Sequence, residues 1–309
     1  SPSISITATT LATIPTAISD LQYSDLGANG LKLSWSSPSY DGGSTVTDYK
    51  VEQSVDGTTW TTVQRTASTN TNQVIAGLTP AKNYQYRVSA VNQIGLGPAS
   101  TAISITTLAT TPSSVRNVAV GQLTSSSLVL SWTVPVTDGG SQITDYLIEQ
   151  SNDGGANWTQ LSRSASTLTS QSITGLTPAS SYSFRVSALN SVGLSNSQTI
   201  SATTLATKPN TPTDLVASSI TSSSFQLNWT APGFDGGSAI TDFKLEISED
   251  GTIWKNISKS VSVNSNFTVT GLVPAKNYFV RVSAVNLIGQ STATAELVVT
   301  TPATVPSQA

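Results

Sequence analysis

The chain repeats itself with a period of about 97 residues. Trp35, Trp132 and Trp229 stand 97 apart, and so do the Asp-Gly-Gly triplets that begin at Asp41, Asp138 and Asp235. The segment 83–92 (NYQYRVSAVN) returns at 181–190 as SYSFRVSALN and at 277–286 as NYFVRVSAVN, at intervals of 98 and 96. The middle copy gains one residue in the turn SNDGGANW, where the first has SVDGTTW, and loses one beyond Gly193. Insertions confined to turns leave the register of the strands intact. A period this long is a whole small domain, so 309 residues accommodate three. Pro15, Pro112 and Pro209 open the copies, and Pro306 stands another 97 residues on. The opening SISITATTLATIP matches AISITTLATTP and TISATTLATKP, which close the first and second copies. The expected division is therefore 1–13 as the last strand of a preceding repeat or a linker, 14–109, 110–206 and 207–303 as three repeats, and 304–309 as a linker to a following one. Residues 1–13 are expected to be an orphaned strand cut from a longer array.

Inside one repeat, short alternating stretches are separated by turn signals every 8–12 residues or so, the pattern of a β-sandwich. Leu31, Leu33 and Trp35 alternate with polar residues and share a buried face. Tyr49 and Val51 point inward, leaving Lys50 and Glu52 outward; Tyr84, Tyr86, Val88 and Ala90 point inward, leaving Arg87 and Ser89 outward. Trp60 and Val63 differ by an odd number and lie on opposite faces of an unbulged strand. Asp56-Gly57 reads as a hairpin turn. No stretch has helical periodicity.

These segments, in this order, resemble fibronectin type III domains: a strand ending in Trp35, a Pro-x-x-Asp-Gly-Gly-Ser loop, the strand TDYKVEQS, GLTPAKNY and YRVSAVN. The resemblance covers nearly the whole chain, three times over. It implies an all-β chain of three tandem, seven-stranded, immunoglobulin-like sandwiches strung as beads. The inter-sheet cysteine pair of an immunoglobulin domain is absent. The resemblance also implies a tyrosine corner, a Tyr hydroxyl capping an upstream backbone group, at Tyr84, Tyr182 and Tyr278. It sets the strand of Glu52 beside that of Arg87, with the Trp60 strand beyond. Parity and this topology give an outward Glu–Arg–Trp cluster in each repeat: Glu52, Arg87 and Trp60; Glu149, Arg185 and Trp158; Glu246, Arg281 and Trp254.

Composition narrows the function. The chain has no Cys, His or Met, which removes disulfides, thiolate metal sites and the commonest general base and zinc ligand. Charged residues make up only 10%, with net charge −3, so no basic patch exists to hold nucleic acid or anionic membrane. Ser and Thr solvate the strands instead; they fill 17 of the first 50 positions. No apolar run is long enough to cross a membrane. Acids are scattered and no phosphate-binding glycine loop precedes a helix, so neither catalysis nor a cofactor is expected.

Three further candidates carry a weighed alternative. The Asp-Gly-Gly loops have carboxylate and carbonyl oxygens for calcium, but one carboxylate per loop favours a turn in which Asp bonds its own backbone. Outward Trp rings could stack on sugars, or pack beneath the outward Arg as cation–π pairs. Sequons occur at Asn157, Asn228, Asn256 and Asn266 and matter only in a glycosylating host. No Arg-Gly-Asp tripeptide occurs. The expected function is a structural spacer or adhesive stalk in a prokaryotic extracellular or cell-surface protein, its partners being neighbouring repeats. The alternative is a glycan- or protein-binding accessory module of a polysaccharide-degrading enzyme or a phage particle. A repeated ligand site needs like residues in the loops QIGLGPAS, SVGLSNSQ and LIGQSTAT; these share mainly a glycine, which favours the spacer.

Overall fold

The computed structural model describes residues 8–304. The first repeat contains β1 (Gln22–Ser24), β2 (Gly30–Ser34), β3 (Asp48–Ser54), β4 (Thr61–Thr62), β5 (Asn72–Ala76), β6 (Asn83–Val91) and β7 (Ile103–Thr106). The second contains β8 (Arg116–Gly121), β9 (Ser127–Thr133), β10 (Asp145–Ser151), β11 (Thr159–Gln160), β12 (Ser170–Thr174), β13 (Ser181–Leu189) and β14 (Gln198–Thr203). The third contains β15 (Thr213–Ser218), β16 (Ser224–Thr230), β17 (Asp242–Ser248), β18 (Lys255–Asn256), β19 (Asn266–Thr270), β20 (Asn277–Asn286), β21 (Gly289–Gln290) and β22 (Leu297–Thr300). Each repeat is a sandwich of a three-stranded sheet, β1-β2-β5 in the first, and a four-stranded sheet, β4-β3-β6-β7. The third adds the two-residue β21 to the edge of β20. Among the described residues all pairings are antiparallel and none joins a strand of one repeat to a strand of another. Among the described residues there is no helix.

Alternation fixes which side chains meet between the sheets. Leu31, Leu33, Trp35, Tyr49, Val51, Tyr84, Tyr86, Val88 and Ala90 are all buried in the first core. Trp35 meets Tyr49 edge-on, with ring centroids 5.4 Å apart, and Trp132–Tyr146 and Trp229–Phe243 repeat the arrangement. The cores exchange volume between layers. Where the first has Leu31 and Tyr86, the third has Phe225 and Val280, all buried. A larger residue in one sheet offsets a smaller one in the other, the kind of swap a packed core tolerates. Val63 packs against the first core while Trp60 lies half-buried on the opposite side of its strand.

Residues 1–7 and 305–309 lie outside the described residues, and with them most of the expected orphaned strand and the end of the following linker. Thr13 is described, and it is tied to the first repeat. Its N–H donates to the Gly42 carbonyl at 2.8 Å.

Candidate functional site

The register of the four-stranded sheet places Glu52 opposite both Arg87 and Thr62, so the acid sits between the arginine strand and the strand that follows Trp60. The same register sets Glu149 against Arg185 and Glu246 against Arg281. Arg87 Nε donates to Glu52 Oε2 at 2.8 Å, and Arg281 Nε to Glu246 Oε2 at 2.9 Å. The other carboxylate oxygen takes a lysine two residues upstream: Lys50 Nζ at 2.6 Å, Lys244 Nζ at 2.9 Å. In the second repeat that position is Leu147, and there Arg185 takes both oxygens of Glu149, at 2.6 and 2.7 Å. Each guanidinium then lies over an indole: Arg87 over Trp60 at 4.2 Å, Arg185 over Trp158 at 4.5 Å, Arg281 over Trp254 at 4.0 Å.

These glutamates sit on the outward side of the sheet, yet Glu52 is only 7% exposed. Lys50, Arg87 and the Trp60 side cover it, which parity alone does not reveal. Burial works to raise the Glu52 carboxyl, but the hydrogen bonds from Lys50 and Arg87 outweigh it and hold the group below its ordinary value. Glu246 is lowered in the same way by Lys244 and Arg281.

At the opposite face the hydroxyl of Tyr84 accepts the Thr79 N–H at 3.0 Å. Tyr182 accepts from Thr177 at 3.0 Å and Tyr278 from Val273 at 2.9 Å. The Asp-Gly-Gly turns close on themselves: Asp41 accepts the Gly43 N–H at 2.8 Å, as Asp138 does from Gly140 and Asp235 from Gly237. Among the described residues no group of three His, Cys, Asp or Glu side chains is placed to hold a metal ion. The sequon residue Asn157 donates to Asp153 at 2.7 Å, and Asn228 pairs with Asn266 across β16 and β19.

Sequence reasoning passed over one recurring side chain. Asn92, at the end of β6, is buried. Its amide donates to the Thr13 carbonyl at 2.7 Å and the Asp41 carbonyl at 2.8 Å, while its oxygen accepts the N–H groups of Ile94 and Gly95. Asn190 does the same to Thr110 and Asp138, and Asn286 to Thr207 and Asp235. Each Asn therefore pins the incoming linker to the Asp-Gly-Gly turn. The signal was present as Asn-x-x-Gly at 92–95, 190–193 and 286–289. A second recurring tie fastens the loop before the fifth strand of each repeat: Asp48 accepts the Ser68 N–H, Asp145 that of Ser166, and Asp242 that of Ser262.

The fibronectin type III domain profile matches residues 16–106, 113–204 and 210–300. The chain belongs to the fibronectin type III family. Three curated relatives carry similar stretches. Drosophila melanogaster titin is 28% identical over 284 residues, covering 89% of this chain and 2% of titin. The tyrosine-protein phosphatase Lar of the same organism is 28% identical, over 98% of this chain and 15% of its own length. Fibronectin type-III domain-containing protein 3a of Gallus gallus is 30% identical, over 99% and 26%. This fibronectin type III chain thus spans a small fraction of each relative. All three are animal proteins, so they give the expected prokaryotic origin no support. The crystal structure of the chicken CNTN1 FN1-FN3 domains aligns over 93% of this chain and 98% of its own, at 17% identity and a TM-score of 0.41.

Proposed function

We propose that this fibronectin type III segment is a non-catalytic spacer, a structural or adhesive stretch of a larger extracellular or cell-surface protein. The observation that carries this reading is the use made of the loops. The asparagine that opens each loop after the long sixth strand is committed, in all three repeats, to holding the segment that leads into its own repeat. The exposed clusters support the same reading. An arginine covers one face of each outward Trp and denies it to a sugar ring, and an ion pair holds that arginine in place. Cation–π contacts of this kind are worth about 0.5–1 kcal/mol at exposed sites, the scale of a brace. Small-angle scattering of the chain tests the spacer. A radius of gyration well above about 20 Å, the value for a compact globule of this length, is expected. A value near 20 Å would sink the proposal.

One local feature of the third repeat favours the alternative of a binding module. A shallow cleft of about 320 Å³ opens between Ile253 and Val273, both exposed, with Glu249, Asp250 and Lys255 around it. The first repeat has the polar Thr79 where the third has Val273. Titrating the chain with oligosaccharides and following the amide signals of Ile253 and Val273 by NMR separates the readings, since a spacer shows no saturable shift there.

A further inference from the structure

Each Asp-Gly-Gly turn has two glycines, and they face different things. The first lies on its own incoming linker: a β-carbon on Gly139 or Gly236 would overlap the carbonyl oxygen of Thr110 or Thr207. The second faces the preceding repeat. A β-carbon on Gly140 would overlap the methyl of Ala81 and lie 3.0 Å from the Pro80 carbonyl oxygen, and one on Gly237 would overlap the methyl of Ala179. In the first repeat the equivalent Gly43 meets only Tyr40 and Ala12, both on its own side.

The alanines on the other side of the contact are unusual in their backbone. Ala81 and Ala179 have φ of 51° and 50°, in the left-handed region where glycine is at ease and alanine is not. Their N–H groups hold the start of the linker, Ala81 to the Leu108 carbonyl and Ala179 to that of Leu205. Leu108 N–H in turn donates to Gly27, and Leu205 N–H to Thr124. Two residues later the next repeat takes over: Thr110 N–H donates to Gly139 and its carbonyl accepts from Asn190, while Thr207 is held by Gly236 and Asn286. Only Ala109 and Ala206 separate a backbone held by one repeat from a backbone held by the next.

We propose that the Asp-Gly-Gly turn is a docking face whose partner is the Pro-Ala corner of the preceding repeat, so that Ala81–Gly140 and Ala179–Gly237 are joints of fixed angle and not flexible tethers. This rests on the spacer reading and adds stiffness to it. What carries it is the fit of the two surfaces: a β-carbon on Gly140 or Gly237 would stand 2.3 Å or less from the methyl of Ala81 or Ala179, closer than any two carbons pack.

The chain lacks cysteine, so paired cysteines at Val74 and Ser172, both exposed at the same place in the first and second repeats, take spin labels cleanly. Pulsed electron–electron double resonance is expected to give one narrow distance distribution in the parent chain. Ala81→Gly and Gly140→Ala are each expected to broaden it at least twofold, and Gly43→Ala to leave it unchanged. Gly43 and Gly140 have almost the same φ, 75° and 80°, so the two substitutions carry the same backbone strain and differ in the joint alone. Ala81→Gly carries no such strain and is expected to leave the melting temperature of the first repeat equal or higher while the joint loosens. A broad distribution in the parent chain, or equal widths in all four proteins, overturns the joint. A broad distribution with an extended scattering profile removes the joint and leaves the spacer standing; a compact profile removes the spacer itself.

Discussion

Asn190 is 3% exposed, with its amide hydrogens on the Thr110 and Asp138 carbonyls and its oxygen under two backbone N–H groups. No solvent replaces those partners if one side of the amide changes sign. Asn190→Asp keeps the shape, removes both donors and turns an anion toward two carbonyls. It is expected to cost about 2–4 kcal/mol, the scale of two buried acceptors left unpaired. Amide hydrogen exchange of β13, which is the long strand leading into Asn190, reads that loss directly; unchanged protection would contradict the clamp. The Glu–Arg–Trp cluster gives a second test, because its partners differ between repeats. Removing Arg87 leaves Glu52 with Lys50, whereas removing Arg185 leaves Glu149 facing Leu147 with no cation. Arg185→Ala is expected to destabilise its repeat by about 2 kcal/mol and Arg87→Ala by about 1 kcal/mol, since a half-buried acid without a partner costs more than a surface pair contributes. Equal effects in denaturant titrations of the two variants would count against this account. Parity showed that these residues share a face. It could not show that Glu52 is buried there, because burial comes from the side chains of three neighbouring strands. The asparagine clamp was harder to read, since its partners are carbonyls 79 and 51 positions away, and a carbonyl leaves no mark in a sequence.

At the scale of the element, the long strands were legible and the short ones were not. β3 and β6 announce themselves by alternation in the sequence, Tyr49 and Val51 in one and Tyr84, Tyr86, Val88 and Ala90 in the other facing the core with polar residues between them. β4, β11 and β18 are two residues each, too short for any period, and are defined by their pairing with the strand that carries the glutamate. The turn joining β3 to β4 is fixed by a carboxylate. The Thr59 and Thr58 N–H groups and the Ser54 hydroxyl converge on Asp56 and hold it well below the usual carboxylate range; Asp153 and Asp250 are held down likewise, chiefly by the Asn157 and Ile253 N–H groups. A group whose pKa falls on folding contributes stability above its unfolded value and loses it as pH drops through the folded one. The turns are therefore expected to hold from neutral pH down to about 4, the ordinary aspartate value, and to weaken progressively below it. The lowered Glu52 and Glu246 act in the same direction and the same window. Melting temperatures between pH 7 and pH 2 check this: a flat profile down to pH 4 followed by a fall is expected. With Asp56→Ala, the first repeat is expected to melt lower at pH 7 and to lose part of its acid-side slope.

At the scale of the molecule, three hydrophobic clusters form among the described residues, each drawn from a single repeat. The 97-residue period made this legible, because no copy contributes an apolar face that another must cover. Sheets confined to single repeats make each one a separate unit of unfolding, and the clamps act on linkers without merging the cores. Pulling the chain by its ends is therefore expected to give three unfolding events. Each would release close to one period of chain, about 300 Å after the folded length of a sandwich is subtracted, at roughly 3.3–3.6 Å per extended residue. The strands first loaded are those next to the linkers, and there the Thr107 hydroxyl bonds the Thr79 and Lys82 carbonyls, as Thr204 and Thr301 do in their own repeats. In the third repeat the residue after that threonine is Pro302, which has no N–H to give, where the first and second have the tethered Leu108 and Leu205. The third repeat is thus expected to yield at the lowest force, and Pro302→Leu to bring it level with the others. Three events of equal height in the parent chain would show that the tether at Leu108 and Leu205 bears no load.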